Sequence, residues 1–139
     1  MKVKHLVAAA LLVAGVLAPA HAARKTTLRT FAGRYDGHTR SLDISRAGVA
    51  KEAIDDGCCH RVLRLTFQLS HPYDSPRGPA ARARVTTVVV LDPDDFSDDH
   101  PAPKPGQTGT LLLRHGVIHE PFTRTVYCSQ KGYIPACGA

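Results

Sequence analysis

The chain has 139 residues, a formal net charge of +6 at pH 7, four cysteines and 43% hydrophobic residues. That length holds a single domain, and an even cysteine count points to covalent staples rather than a lone catalytic thiol. Aromatic residues make up only 6% of the chain and no dense Lys/Arg run occurs, so the basic excess does not indicate a nucleic-acid binder.

The first residues address the compartment. Lys2 and Lys4 precede an apolar run from Leu6 to Leu17, followed by Pro19 and the small-residue pattern Ala20-His21-Ala22. This predicts a secretory signal peptide over 1–22, cleaved after Ala22. The run falls short of the roughly 20 apolar residues a spanning helix needs, so no membrane span is expected. Residues 23–139 then form one β domain, with all four cysteines in an oxidising compartment and two disulfides as the default reading.

Residues 23–30 are a basic, polar lead-in. Phe31 and Tyr35 share one parity across Gly33, and Leu42 and Ile44 alternate with polar residues. Ala47-Gly48 turns the chain, 49–54 runs back, and Asp55-Asp56-Gly57 is a hairpin signal. The clearest strand is 61–70, with Leu63, Leu65, Phe67 and Leu69 on one face. Residues 71–79 read as a loop from their prolines and glycine. A second long strand covers 81–91, with Ala81, Ala83, Val85, Thr87, Val89 and Leu91 predicted to face inward. Residues 92–106, with five aspartates and four prolines, cannot be regular and form a long loop. Strand character returns at 108–114, 117–120 and 123–128. Short strands in hairpin order predict an all-β fold, a small antiparallel meander barrel or a sandwich, stapled by two disulfides.

A bridge between the neighbours Cys58 and Cys59 is strained, because disulfides favour Cα atoms about 5.5–6 Å apart. Each of Cys58 and Cys59 is therefore expected to reach one of Cys128 and Cys137, closing loops that contribute about 4 kcal/mol each. The rival is a local Cys128–Cys137 bridge. Tyr35, Asp36, His38 and Arg40 are the candidate ligand-contacting residues. The last three share parity with Leu42 and Ile44 near a strand end, where a barrel would have its mouth. The competing reading is a buried ion pair, or an arginine holding a turn. His115, His119 and Glu120 lack the three or four tight ligands that zinc requires, so no metal site is assigned. The aspartate loop carries Phe96 and Ser97 where a calcium loop wants an acid or amide and then glycine. No nucleophile elbow or phosphate cradle is present, and no catalytic residue or cofactor is assigned.

Taken together, Gly37-His38-Thr39-Arg40-Ser41-Leu42, Asp56-Gly57-Cys58-Cys59, Gln107-Thr108-Gly109-Thr110-Leu111, Tyr127-Cys128 and the terminal Cys137-Gly138-Ala139 resemble an uncharacterised family of small secreted actinobacterial proteins. That resemblance implies secretion and a disulfide-bonded domain, and it carries no activity. Gly33-Arg34-Tyr35 is also similar to the Gly-x-Trp opening of lipocalin-like and avidin-like barrels, with tyrosine in place of tryptophan.

The expected function is that of an exported, non-enzymatic β-barrel that binds a small ligand at the cell envelope or outside the cell. An alternative is a secreted inhibitor or interaction module that presents the 92–106 loop to an extracellular protein. A metal-dependent hydrolase is the least supported reading.

Overall fold

A computed structural model describes residues 25–57, 60–129 and 135–137. Eight strands run β1 (Gly33–Gly37), β2 (Arg40–Ile44), β3 (Val49–Asp55), β4 (Arg61–Ser75), β5 (Gly78–Val90), β6 (Thr108–Arg114), β7 (Val117–His119) and β8 (Val126–Ser129). Each pairs antiparallel with its predecessor, and β8 pairs with β1 to close the barrel. The expected meander barrel is thus the observed fold, and the sandwich is not. Closure leaves no free outer strand along the ring, which removes the edge that an open sheet would present.

Side-chain alternation builds the interior. Leu42 and Ile44 on β2, Ala50 on β3, and Leu63, Leu65, Phe67 and Leu69 on β4 are at most 4% exposed. Lys51, Arg64, Arg82 and Arg84 occupy the intervening outward positions and are exposed. Each Leu or Phe buried this way contributes about 1.5–3 kcal/mol of transfer free energy. One end of the barrel is stopped by the N-terminal segment. A 3₁₀ turn over Leu28–Thr30 leads into Phe31, which is fully buried, and the Tyr35 hydroxyl donates to the Phe31 carbonyl at 2.9 Å.

Three sequence expectations need correction. Residues 71–75 and 78–79 belong to β4 and β5, not to a loop. A bulge after Ser70, with His71 at φ 48°, carries Pro72 past the ladder before pairing resumes at Tyr73 and Ala80. The inner face of β5 also changes parity. Phe67 pairs with Val85 and Thr66 with Thr87, which leaves Thr86 as an extra residue whose hydroxyl donates to the Thr66 carbonyl at 3.0 Å. Beyond that bulge Val88 packs against the core, and Thr87, Val89 and Leu91 are exposed.

The third correction concerns the disulfides. Cys128 and Cys137 pair with each other, with Cα atoms 5.8 Å apart, so the long-range pairings to Cys58 and Cys59 are overturned. Tyr127 points into the barrel, so its neighbour Cys128 points outward. The 3₁₀ turn at Pro135–Cys137 folds onto that outer face, where Val117, Cys128 and Cys137 form a small buried cluster. Cys58 and Cys59 lie outside the described residues, as do residues 1–24 that hold the expected signal peptide. The double substitution of Cys128 and Cys137 by serine should lower stability by about 2–3 kcal/mol, the chain-entropy worth of so short a loop. Guanidinium denaturation reads this as a lower midpoint; an unchanged midpoint would mean the staple contributes nothing.

Candidate functional site

The meander brings the start of β2, the end of β3 and the start of β4 to the same end of the barrel as the 91–107 and 120–125 connections. They surround a solvent-open cavity of about 530 Å³, within the roughly 300–1,000 Å³ typical of small-molecule sites. Ile54, Val62, Phe96 and Phe122 supply apolar wall, while Arg40, Thr123 and Arg124 supply polar wall. Phe122 reaches into the barrel and meets Phe67 edge-on, with ring centroids 5.3 Å apart. Gly109 makes this possible. A Cβ there would sit 2.7 Å from Pro121, so only glycine lets the 120–125 turn fold so closely across β6.

The 91–107 connection forms part of this cavity's wall. Phe96 packs against the core, Pro103 is buried, and Gly106 and Gln107 exchange backbone hydrogen bonds with Val85 at 2.8 and 2.9 Å. Asp92 caps the short 3₁₀ turn at Pro93–Asp95 by accepting from the Asp94 N–H. The acidic residues Asp94, Asp95, Asp98 and Asp99 are exposed.

Beneath the cavity lies a polar network that the sequence reading did not single out. Glu52 on β3 and Glu120, just after β7, are each 2% exposed. Glu52 Oε1 accepts from the Tyr127 hydroxyl at 2.5 Å and lies 2.9 Å from Thr123 Oγ1, while Oε2 is buried with no partner. Glu120 is richly satisfied. It accepts from the Phe122 and Thr123 N–H groups at 2.7 Å each and from Thr123 Oγ1 at 2.6 Å. Arg40 donates to Thr125 Oγ1 at 2.5 Å, and its charge favours the ionised form of both acids.

The hydrogen count in this network assigns the proton. Thr123 Oγ1 contacts both carboxyl groups but carries one hydrogen, so it can donate to only one of them. Glu120 has the backbone donors that compensate a charge, whereas a charge on Glu52 would leave its Oε2 uncompensated. Glu52 therefore holds a proton on Oε1, facing Thr123 Oγ1, and Glu120 the charge. The electrostatics agree. Burial, reinforced by the neighbouring Glu120, pushes the Glu52 carboxyl up to about 8. Burial also raises Glu120, opposed by its three hydrogen bonds and by Arg40. Tyr127 is held in its phenol form by burial and by Glu52.

The four candidate ligand contacts separate. Arg40 lines the cavity. Tyr35 is buried in the core with its hydroxyl raised by burial and committed to Phe31, away from the mouth. Asp36 does not share a face with Arg40. The register pairs Asp36 with Ser41 and Gly37 with Arg40, so the 38–39 turn reverses the parity assumed from sequence. Asp36 instead meets Arg34 at 3.3 Å, and His38 is exposed in the turn. His115 and His119 are exposed, His115 in the β6–β7 turn at the opposite end from the mouth. Among the described residues no three His, Cys, Asp or Glu side chains are placed to hold a metal ion. Nor is any helix among them long and apolar enough to cross a membrane.

Neither buried carboxyl lines the cavity, so neither is presented to a molecule bound there. Their bonds tie β3, β8 and the 120–125 turn together, and Thr123 and Arg40 stand between that network and the cavity. The fold and the site therefore rest on geometry alone, for no known family model matches the chain and no curated protein or solved structure matches it.

Proposed function

We propose that this chain is an exported, non-enzymatic barrel that binds a small molecule in the cavity at its mouth. The observation that carries the reading is the cavity itself, where the Phe96 and Phe122 rings stand beside the cations of Arg40 and Arg124. Apolar surface with a few convergent polar groups is the usual composition of a ligand site. The non-enzymatic part is supported by the two acids with raised proton affinity, which are enclosed and bonded internally rather than facing the cavity. Export rests on the leader-like sequence of residues 1–22, and the Cys128–Cys137 bridge fits an oxidising compartment.

The alternative, a module that presents the 92–106 loop to a protein, is less well supported. The loop packs inward through Phe96 and Pro103 instead of projecting. Native mass spectrometry of protein purified from its own host tests the proposal. A co-purifying small molecule that is lost on Arg40→Ala with the fold retained is the expected result. A clean apo mass together with a crystal structure in which the loop fills the cavity would overturn it.

A further inference from the structure

The cavity's charges are contributed by two different arcs of the ring. Arg40 begins β2 and Arg124 precedes β8, and these strands flank β1 on one arc of the ring. Asp95 and Asp99 belong to the connection between β5 and β6, which arises from the opposite arc. All four line the same cavity, yet among the described residues no ion pair joins either arginine to either aspartate. The apolar walls of Ile54 and Phe122 lie within the same space.

Arg124 adds an independent observation. Its backbone has φ 55°, the left-handed region that disfavours a side chain bearing a Cβ. Glycine would occupy the position without strain, so the turn itself gains nothing from arginine there. The side chain it places on the cavity is what the strained residue supplies.

Building on the reading of the mouth as a small-molecule site, we infer that its ligand is dipolar: an ammonium group at Asp95 and Asp99, a carboxylate or similar anion at Arg124 and Arg40, and an apolar body between. A molecule with only one charge would satisfy one wall and leave the opposite charges facing it unpaired. A matched set of probes separates these cases: 6-aminohexanoate, hexanoate, hexylamine and 1-hexanol, titrated against the disulfide-bonded chain by amide NMR. The zwitterion is expected to bind at least tenfold more tightly than either singly charged probe, with shifts centred on residues 95–100 and 122–125.

Two variants assign the ends. Asp95→Asn with Asp99→Asn should reduce 6-aminohexanoate to the affinity of hexanoate. Arg124→Gly should bring it at least several-fold closer to that of hexylamine, Arg40 remaining, while leaving the melting temperature unchanged or higher, since the backbone strain is relieved. Equal binding of all four probes at these residues would overturn the dipolar assignment and leave the cavity reading standing. Binding by none of them would overturn both. Loss of zwitterion binding in Arg124→Gly accompanied by a lower melting temperature would count against the assignment, because the residue would then be structural.

Discussion

Glu52→Gln should flatten the pH dependence of this protein's stability. In the native barrel the Glu52 carboxyl titrates near 8, against an ordinary value of 4.5. A group whose folded pKa is raised contributes stability that is complete below the unfolded value and is lost as pH rises through the folded one. The contribution of this residue is therefore complete below about pH 4.5. Each pH step between there and 8 removes about 1.4 kcal/mol, a total on the order of 5 kcal/mol from this residue. Glu120 shifts in the same direction and adds to the trend. A neutral amide at position 52 cannot lose a proton, so the variant should be the more stable protein at pH 9. Below pH 5 the order inverts by about 1–2 kcal/mol, because the amide NH₂ takes the place of Oε2 in a pocket with no acceptor. Urea denaturation at pH 4.5, 6.5 and 9 should give crossing curves for the two proteins. Parallel curves would show that Glu52 is ionised in the native state.

Phe122→Ala should be the most destabilising single change at the mouth. The ring is 9% exposed and stands edge-on to Phe67, forming the boundary between cavity and core. Truncating a buried phenylalanine costs about 3–5 kcal/mol, and part of that is the aromatic pair itself. The expected fall in melting temperature is roughly 10 °C or more for a domain of this size. Phe122→Leu should recover most of the loss, since a branched side chain still fills the gap. A change below about 1 kcal/mol for the alanine variant would mean that the ring is not seated in the core.

The strand pattern was readable where alternation was unbroken. Leu63, Leu65, Phe67 and Leu69 indicated β4 and its inner face without ambiguity, and the hairpin order indicated a meander. Reading failed at irregularities that alternation cannot encode. The extra residue at Thr86 moved Val88 to the inside, and the bulge at His71 kept Pro72 within a strand where composition suggested a loop. The same limit acted at the site. Asp36 and Arg40 share parity along the sequence, but the turn at 38–39 places them on opposite faces.

The buried acids left a signal in the sequence. Glu52 shares the parity of Ala50 and Ile54 on a strand whose outward residues include Lys51, and Glu120 shares the parity of Ile118. A carboxylate on an inward-facing parity is an exception that calls for a partner. The partners of Glu52, Thr123 and Tyr127, lie 71 and 75 residues away, and only barrel closure brings them together. The local Cys128–Cys137 bridge had no comparable signal, because it depends on the chain folding back after β8 onto the barrel's outer surface.

A protonated acid held directly beneath a solvent-open cavity is read out by a carbon-13 NMR titration of the glutamate side-chain carboxyl carbons from pH 4 to 10. Only two signals need assignment, because Glu52 and Glu120 are the only glutamates in the chain. The Glu52 carboxyl carbon is expected to keep the shift of a neutral acid through pH 6.5 and to titrate near 8. A Glu52 signal that moves to the carboxylate position at or below pH 5 would contradict the account.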